Sequence, residues 1–336
     1  MTVIYAILLF MVLIFVHEFG HFIAAKACNV KVNEFAIGMG PAILKKQKGE
    51  TLYAVRAIPI GGFCAMEGED EESEDERAFN NKKSWQKIII LVAGAFMNLL
   101  LCIIIMSTIS FASGVATTTI SGLTPGGPAE QAGLMSGDVI IEIDGREVAE
   151  WQDVSKFIGE AEDEFVSFKV MRDGASVELI VGTTISEDGR KVVGILPKTA
   201  HKPLYSLVNG TKSTFSMAIS MVDILKGLFT GGVSTDELTG PVGIVAVVND
   251  SASLGFIYIA FLTAMISLNL AIVNMLPFPA LDGGRVIFVI IRMITGKAIT
   301  DEIEGKVHFI GIMLLFALMI YVTWNDIERF IFPLFN

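Results

Sequence analysis

Residues 17–21 read His-Glu-Phe-Gly-His. On an α-helix, positions four apart share a face, so His17 and His21 can present two imidazoles to one point. Glu18 stands beside the first of them, where a carboxylate can take a proton from water held on a metal. The pattern is that of two zinc ligands and a general base. Its setting sharpens the reading. These groups follow the nearly unbroken apolar run from Thr2 to Val16. Ionisable groups inside a membrane span are costly and usually functional.

Two histidines leave a catalytic zinc site one protein ligand short. A third is offered by Asn274-Met275-Leu276-Pro277-Phe278-Pro279-Ala280-Leu281-Asp282-Gly283-Gly284-Arg285. Pro277 and Pro279 end a helix and hold an extended piece. Gly283 and Gly284 permit a tight bend beside Asp282. Spacing alone leaves two readings of Asp282 open, a metal ligand or a solvated aspartate at an ordinary helix-ending turn.

The elements that must hold these residues are membrane helices. The chain is 52% hydrophobic and only 18% charged, against about 25% charge in soluble domains. That composition predicts a polytopic α-helical membrane protein. Four apolar stretches, 1–27, 88–112, 254–276 and 307–325, approach or exceed the roughly 20 residues a span needs. Tyr321 and Trp324 read as interfacial anchors of the fourth. The piece 286–294 is too short and carries Arg292. Ala25-Lys26-Ala27 resembles a signal-peptide cleavage site, but no Lys or Arg precedes the apolar run, so the first stretch is read as a span. A net charge of -11 argues against a nucleic-acid partner. Cys28, Cys64 and Cys102 form neither a disulfide framework nor a sulfur metal site.

Orientation follows from Lys and Arg in short loops. The loop 28–87 and its margins hold ten of them, from Lys26 to Lys87, and the segment 277–306 holds Arg285, Arg292, Lys297 and Lys306. Both are expected on the cytoplasmic side, which puts Asp282 on the side of His21. The segment 113–253 and the tail 326–336 are then extracytoplasmic.

Within 113–198 the pattern Pro-x-x-x-Ala-Gly-Leu-x-x-Gly-Asp, Pro128 to Asp138, resembles a PDZ domain. Val139–Ile143 is expected as a strand, Trp151 to Ile158 as an amphipathic helix, and Asp173-Gly174 as a hairpin turn between strands. Such domains bind extended peptides at a sheet edge, which makes a peptide ligand an expected partner. The connector 199–253 carries Met217, Met221, Leu225 and Phe229 at helical spacing. It reads equally as a helix on the membrane surface or packed on the protein. Gly240-Pro241-Val242-Gly243 reads as a turn. The run from Glu67 to Glu76 holds eight carboxylates in ten residues and is expected to be a disordered, solvated linker. His201 has no evident partner, and His308 reads as packing or interfacial.

HEFGH near the end of a first span, a PDZ-like insert and NMLPFPALDGG at the end of a later span together resemble the site-2 protease family, in particular its RseP-type, PDZ-containing bacterial intramembrane zinc metalloproteases. The resemblance covers essentially the whole chain. It implies that His17, His21 and Asp282 ligate zinc and that Glu18 is the general base. It implies that Asn274 and Pro277 position substrate. It implies cleavage of single-span membrane proteins, of the anti-sigma-factor or signal-peptide-remnant kind, within or near the bilayer of the bacterial plasma membrane. The PDZ domain is implied to limit access by bulky ectodomains. Leu52 to Met66 resembles the family's membrane-associated β-hairpin, whose edge could take an unwound substrate strand. Two departures stand out. Only one PDZ-like unit is present, and Ala95 replaces a proline usual in the second span. Two other functions fit parts of the sequence. One is a catalytically silent PDZ membrane adaptor, against which the intact His17, Glu18, His21 and Asp282 set argues. The other is a zinc transporter, which the lack of a second His, Asp or Glu cluster in spans two to four weakens.

Overall fold

Fourteen successive apolar residues, Val3–Val16, with no helix breaker among them give α1, Thr2–Ala27, a single 26-residue helix that carries both histidines. The computed structural model describes residues 2–69, 71–186, 189–231, 240–296 and 301–331. Expectations placed on Lys297, on Asp70 and on the tail beyond 331 lie outside the described residues. Four described helices are long and apolar enough to cross a membrane: Ile4–Ala27 of α1, Ser84–Ser113 (α2), Phe256–Asn274 and Ile303–Arg329. The chain divides into two compact units, one of residues 1–109 with 210–336, the other 110–209.

In the first unit α1 is followed by β1, Val32–Lys48, and β2, Thr51–Met66. They pair antiparallel, but not as a flat hairpin. Ala54 pairs with Lys45 on one side and Ala36 on the other, and Ala36 pairs in turn with Phe63. Both strands therefore bend back on themselves, and 61–66 becomes a margin of the sheet. Gly38, Gly40 and Gly61 take the positive φ values that these bends demand. The hairpin turn is tied to α1: Glu50 accepts from Lys26 and from both ends of the Arg77 guanidinium at 2.7 Å. Arg77 foremost, then Lys26, holds the Glu50 carboxyl down at about 2.

The acidic run departs from the expected free linker. Glu67 accepts from Asn33, Ser73 and Lys31, and Glu69 pairs with Arg285. Backbone bonds Glu67 N–H to Lys31 O and Phe79 N–H to Glu67 O, 2.9 and 2.7 Å, clamp both flanks. Cations brought in from distant sequence neutralise carboxylates that would otherwise repel.

In the second unit the sheet runs in the order β10-β3-β4-β6-β7, with β5 beside β4. The strands are β3 Val115–Leu123, β4 Val139–Ile143, β5 Arg146–Glu147, β6 Phe165–Arg172, β7 Ala175–Gly182 and β10 Ile195–Ala200. Between them lie α3 Pro128–Gln131, α4 Trp151–Glu160, and the small pair β8 Thr184–Ile185 and β9 Lys191–Val192. Asp173 and Gly174 both have positive φ, as a tight turn between β6 and β7 requires. Val166, Phe168 and Val170 alternate into the core, and Val154 and Ile158 of α4, four apart, cover it.

Asp138, the end of the PDZ-like pattern, is 1% exposed. It takes Arg172 Nε and Nη2 at 2.7 Å each and the Met135 N–H at 2.9 Å. Arg172 holds its carboxyl below the usual carboxylate range. A lowered carboxylate stabilises above its ordinary pKa, and that contribution is lost as pH falls through the lowered value. Arg172→Ala strands this buried charge and is expected to cost about 3 kcal/mol. Hydrogen-exchange protection of Val139–Ile143 should then fall by about two orders of magnitude. Unchanged protection would show the pair to be dispensable.

The chain returns to the first unit through α5, Pro203–Thr230. Met217 and Met221 pack against Cys102, Ala264 and Leu268, so α5 lies on protein along this face. Gly240-Pro241-Val242-Gly243 is not a free turn. It opens α6, Pro241–Leu254, and Asp326 accepts the Gly240 and Gly243 N–H groups at 3.1 and 2.8 Å. A carboxylate from far along the chain thus caps this helix. Gly255, at φ 116°, separates α6 from α7, Phe256–Asn274, so the predicted third span starts slightly later than its apolar run. After a bend come α8, Asp282–Thr295, and α9, Asp301–Asp326, with a π-helical turn at Ile327–Ile331.

Candidate metal centre

His17 and His21 are fixed by α1 itself, one turn apart. Their surroundings decide where the rings point. His21 Nδ1 donates to the Ile90 carbonyl of α2 at 2.8 Å, which leaves Nε2 with its lone pair. The rings meet edge to face with centroids 4.8 Å apart. Helix α2 comes so close that a Cβ on Gly94 would stand 2.3 Å from His21 Nε2 and 2.7 Å from His17 Cε1. Likewise a Cβ on Gly20 would stand 2.3 Å from the Ala93 carbonyl. Gly20 and Gly94 therefore set the distance between the two helices. Neither glycine, nor the Ile90 carbonyl, is singled out by the motifs. The run of small residues Ala93-Gly94-Ala95 is the signal that points to such a contact.

The third group arrives through the bend between α7 and α8. Phe278 N–H bonds Leu276 O at 2.7 Å and Leu281 N–H bonds Phe278 O at 3.2 Å. A Cβ on Gly283 would meet Leu276 O at 2.4 Å, and one on Gly284 would meet Phe278 O at 2.3 Å. The two glycines let the first turn of α8 lie directly against these carbonyls, with Asp282 at its head. Asp282 Oδ2 lies 3.2 Å from His17 Nε2 and 3.5 Å from His21 Nε2, and the two Nε2 atoms are 3.2 Å apart. Asp282 Oδ2 and His17 Nδ1 are buried without a hydrogen-bond partner among the described residues.

This triangle fits a metal ion. Zinc bonded at about 2.0–2.2 Å in tetrahedral geometry holds its ligand atoms roughly 3.4 Å apart. Two imidazoles and one carboxylate make a catalytic donor set that leaves a fourth position open. An orphaned carboxylate oxygen facing two imidazole nitrogens is the kind of buried group a cation satisfies. Among the described residues, His17, His21 and Asp282 are the group of His, Cys, Asp or Glu side chains arranged to hold a metal.

The other expected residues are placed as follows. Glu18 lies against the sheet margin, its Cγ 3.5 Å from where a Cβ on Gly62 would be. Asn274, the last residue of α7, turns its Nδ2 toward His17 Nε2 at 3.5 Å. Pro277 is exposed in the bend. His201 Nδ1 donates to Phe111 O at 2.6 Å, inside the second unit. His308 Nδ1 accepts the Ala280 N–H at 2.8 Å, two residues before Asp282.

Residues 5–318 match the family model described as peptidase family M50. Relatives bearing the name "Putative zinc metalloprotease" span the full length. That of Clostridium acetobutylicum is 38% identical over 331 residues, covering 97% of each chain. That of Fusobacterium nucleatum is 38% identical over 338 residues, covering 98% of this chain and 99% of its own. That of Staphylococcus aureus is 31% identical over 421 residues, covering 98% of each. Among solved structures, the PDZ domain of an SdrC-like protein from Listeria innocua is 27% identical, with a TM-score of 0.23, over 26% of this chain and 97% of that one. The family resemblance carried by the two motifs holds: the chain belongs to peptidase family M50.

Proposed function

We propose that this chain is a zinc-dependent endoprotease that cuts single-span membrane proteins within or near the bilayer. The observation that carries the proposal is the triangle of His17, His21 and Asp282 donor atoms, with edges of 3.2, 3.2 and 3.5 Å, next to Glu18. His17, His21 and Asp282 are the ligands and Glu18 the general base. Zinc held by these three residues would supply a Lewis acid and bring the pKa of a bound water down to about 7. Glu18 takes the proton of the attacking water and passes it to the leaving amine. His21 is held in the ligating tautomer by the Ile90 carbonyl, and Asn274 offers an amide N–H beside the reacting centre. Pro277 keeps the bend open on the side from which substrate enters.

A helical substrate hides its amides in its own hydrogen bonds and must be extended before attack. The sheet margin 61–66, with Gly62 beside Glu18, is the place for that strand to pair. An apolar groove of about 610 Å³, lined by Phe15, Phe19, Phe35, Ile37 and Tyr53, lies on the strands inward of that margin. Anti-sigma factors and signal-peptide remnants are substrates of this kind. The second unit is a PDZ domain, and the groove of Trp151, Val154, Ile158, Val193 and Ile195 is where a peptide would add. The apolar faces of the four long helices, Ile4, Leu8 and Val12 among them, contact lipid. The Lys and Arg distribution supports a multi-pass protein of the bacterial plasma membrane, with the zinc site toward the cytoplasm and the PDZ domain outside.

Zinc per chain in detergent-purified protein tests the site without knowledge of substrate. About one zinc is expected in the wild type, and little in His17→Ala or Asp282→Ala. A well-folded wild type without zinc, or full retention in Asp282→Ala, would overturn the ligand set and favour the silent PDZ adaptor.

A further inference from the structure

Ala280 has φ +75°, a left-handed conformation that a residue with a Cβ adopts only under constraint. It stands two residues before Asp282, and the direction in which the chain enters α8 depends on it. Two contacts from α9 grip this point. His308 Nδ1 accepts the Ala280 N–H at 2.8 Å. Three residues on, a Cβ on Gly311 would stand 2.5 Å from the Pro279 carbonyl, so the α9 backbone abuts the residue before Ala280. The His308 ring also meets Phe288 of α8 with centroids 5.6 Å apart, and its Nε2 lies 3.7 Å from Glu304 Oε1. One side chain thus ties the bend, α8 and α9 together.

A partly buried hydrogen bond to a single backbone N–H in a strained turn does more than fill space. The neighbouring glycines, Gly283 and Gly284, are used for close approach, whereas the left-handed position carries an alanine. At Ala280 the conformation must therefore be imposed from outside, and His308 supplies the acceptor that imposes it. The geometry assigns His308 as a positioning residue of the metal centre: by holding the left-handed turn at Ala280 it places the Asp282 carboxylate against His17 and His21. The inference rests on the ligand set proposed above.

Zinc affinity, measured by chelator competition on the full chain in detergent, tests it. His308→Leu removes the acceptor and is expected to weaken zinc binding about tenfold or more. His308→Asn keeps an acceptor near the Nδ1 position and is expected to recover most of that loss. Ala280→Gly removes the need for an imposed conformation, so His308→Leu in the Ala280→Gly background should cost less than about threefold. A purely structural role for His308 would instead lower the thermal stability of the metal-free protein and give the same loss in both backgrounds. Zinc affinity within twofold of wild type in His308→Leu, no recovery in His308→Asn, or an undiminished loss in the Ala280→Gly background would each overturn the assignment. If His308→Leu does not fold, His308→Asn with and without Ala280→Gly carries the test: near-wild-type affinity in both supports it, and a tenfold loss in both overturns it. Failure of the ligand set itself is read separately, from wild type and Asp282→Ala.

Discussion

Glu18→Gln is expected to stop proteolysis while leaving the metal in place. The substitution preserves shape and removes the carboxylate proposed to take and return the proton. General acid–base catalysis contributes about 10²–10⁴-fold, so a fall of about a thousandfold in kcat is expected. Glu18 is not in the donor triangle of His17, His21 and Asp282, so zinc should stay near one per chain. The variant should also hold substrate and act as a trap. The check is paired: turnover of a reconstituted single-span substrate, and metal content of the same preparation. Cleavage above about a tenth of the wild-type rate would remove Glu18 from the proton path. Loss of zinc together with activity would show instead that Glu18 supports the site structurally.

Gly94→Ala has the next largest expected effect, and it arises from a residue with no functional group. The added methyl would stand 2.3 Å from His21 Nε2 and 2.7 Å from His17 Cε1, distances that real Cβ atoms do not show. Either the imidazoles rotate away or α2 withdraws from α1. Withdrawal also strains the bond from His21 Nδ1 to the Ile90 carbonyl. Overpacking of this kind costs about 1–3 kcal/mol. Taken from the metal site, that is a loss of about tenfold or more in zinc affinity. The helices themselves remain apolar and long enough to insert, so the protein should still purify from membranes. Wild-type affinity in Gly94→Ala would mean that α2 does not wall the metal centre.

The readings that worked from sequence are those whose geometry is local. The HExxH spacing needs only the helix repeat to put His17 and His21 on one face, and the strand expected at Val139–Ile143 and the tight turn at Asp173-Gly174 are equally local. Apolar run length was enough to find the four long helices, because crossing the bilayer is a matter of length and composition. The paired motifs, read as a family resemblance, were enough to name peptidase family M50. Composition misled where partners are remote. The carboxylates of 67–76 read as mutually repelling, yet Lys31 and Arg285 lie against Glu67 and Glu69 in the fold. Gly240 to Gly243 read as a turn because the Asp326 carboxylate that caps it is 83 and 86 positions away.

The donor chemistry and the elements that carry it are legible along the chain: two imidazoles one helical turn apart, a neighbouring carboxylate, and an aspartate behind a proline- and glycine-rich bend. That these groups meet is a property of the packed helices. Asn274 and His17 are 257 positions apart, and a chain fixes no such distance until helices pack. The close approach of α1 and α2 through Gly20 and Gly94, the tautomer set by Ile90, and the grip of His308 on Ala280 all belong to that packing. The reason is physical. Helical periodicity acts within one turn, whereas the direction of a ligand atom is set by whichever backbone lies against it.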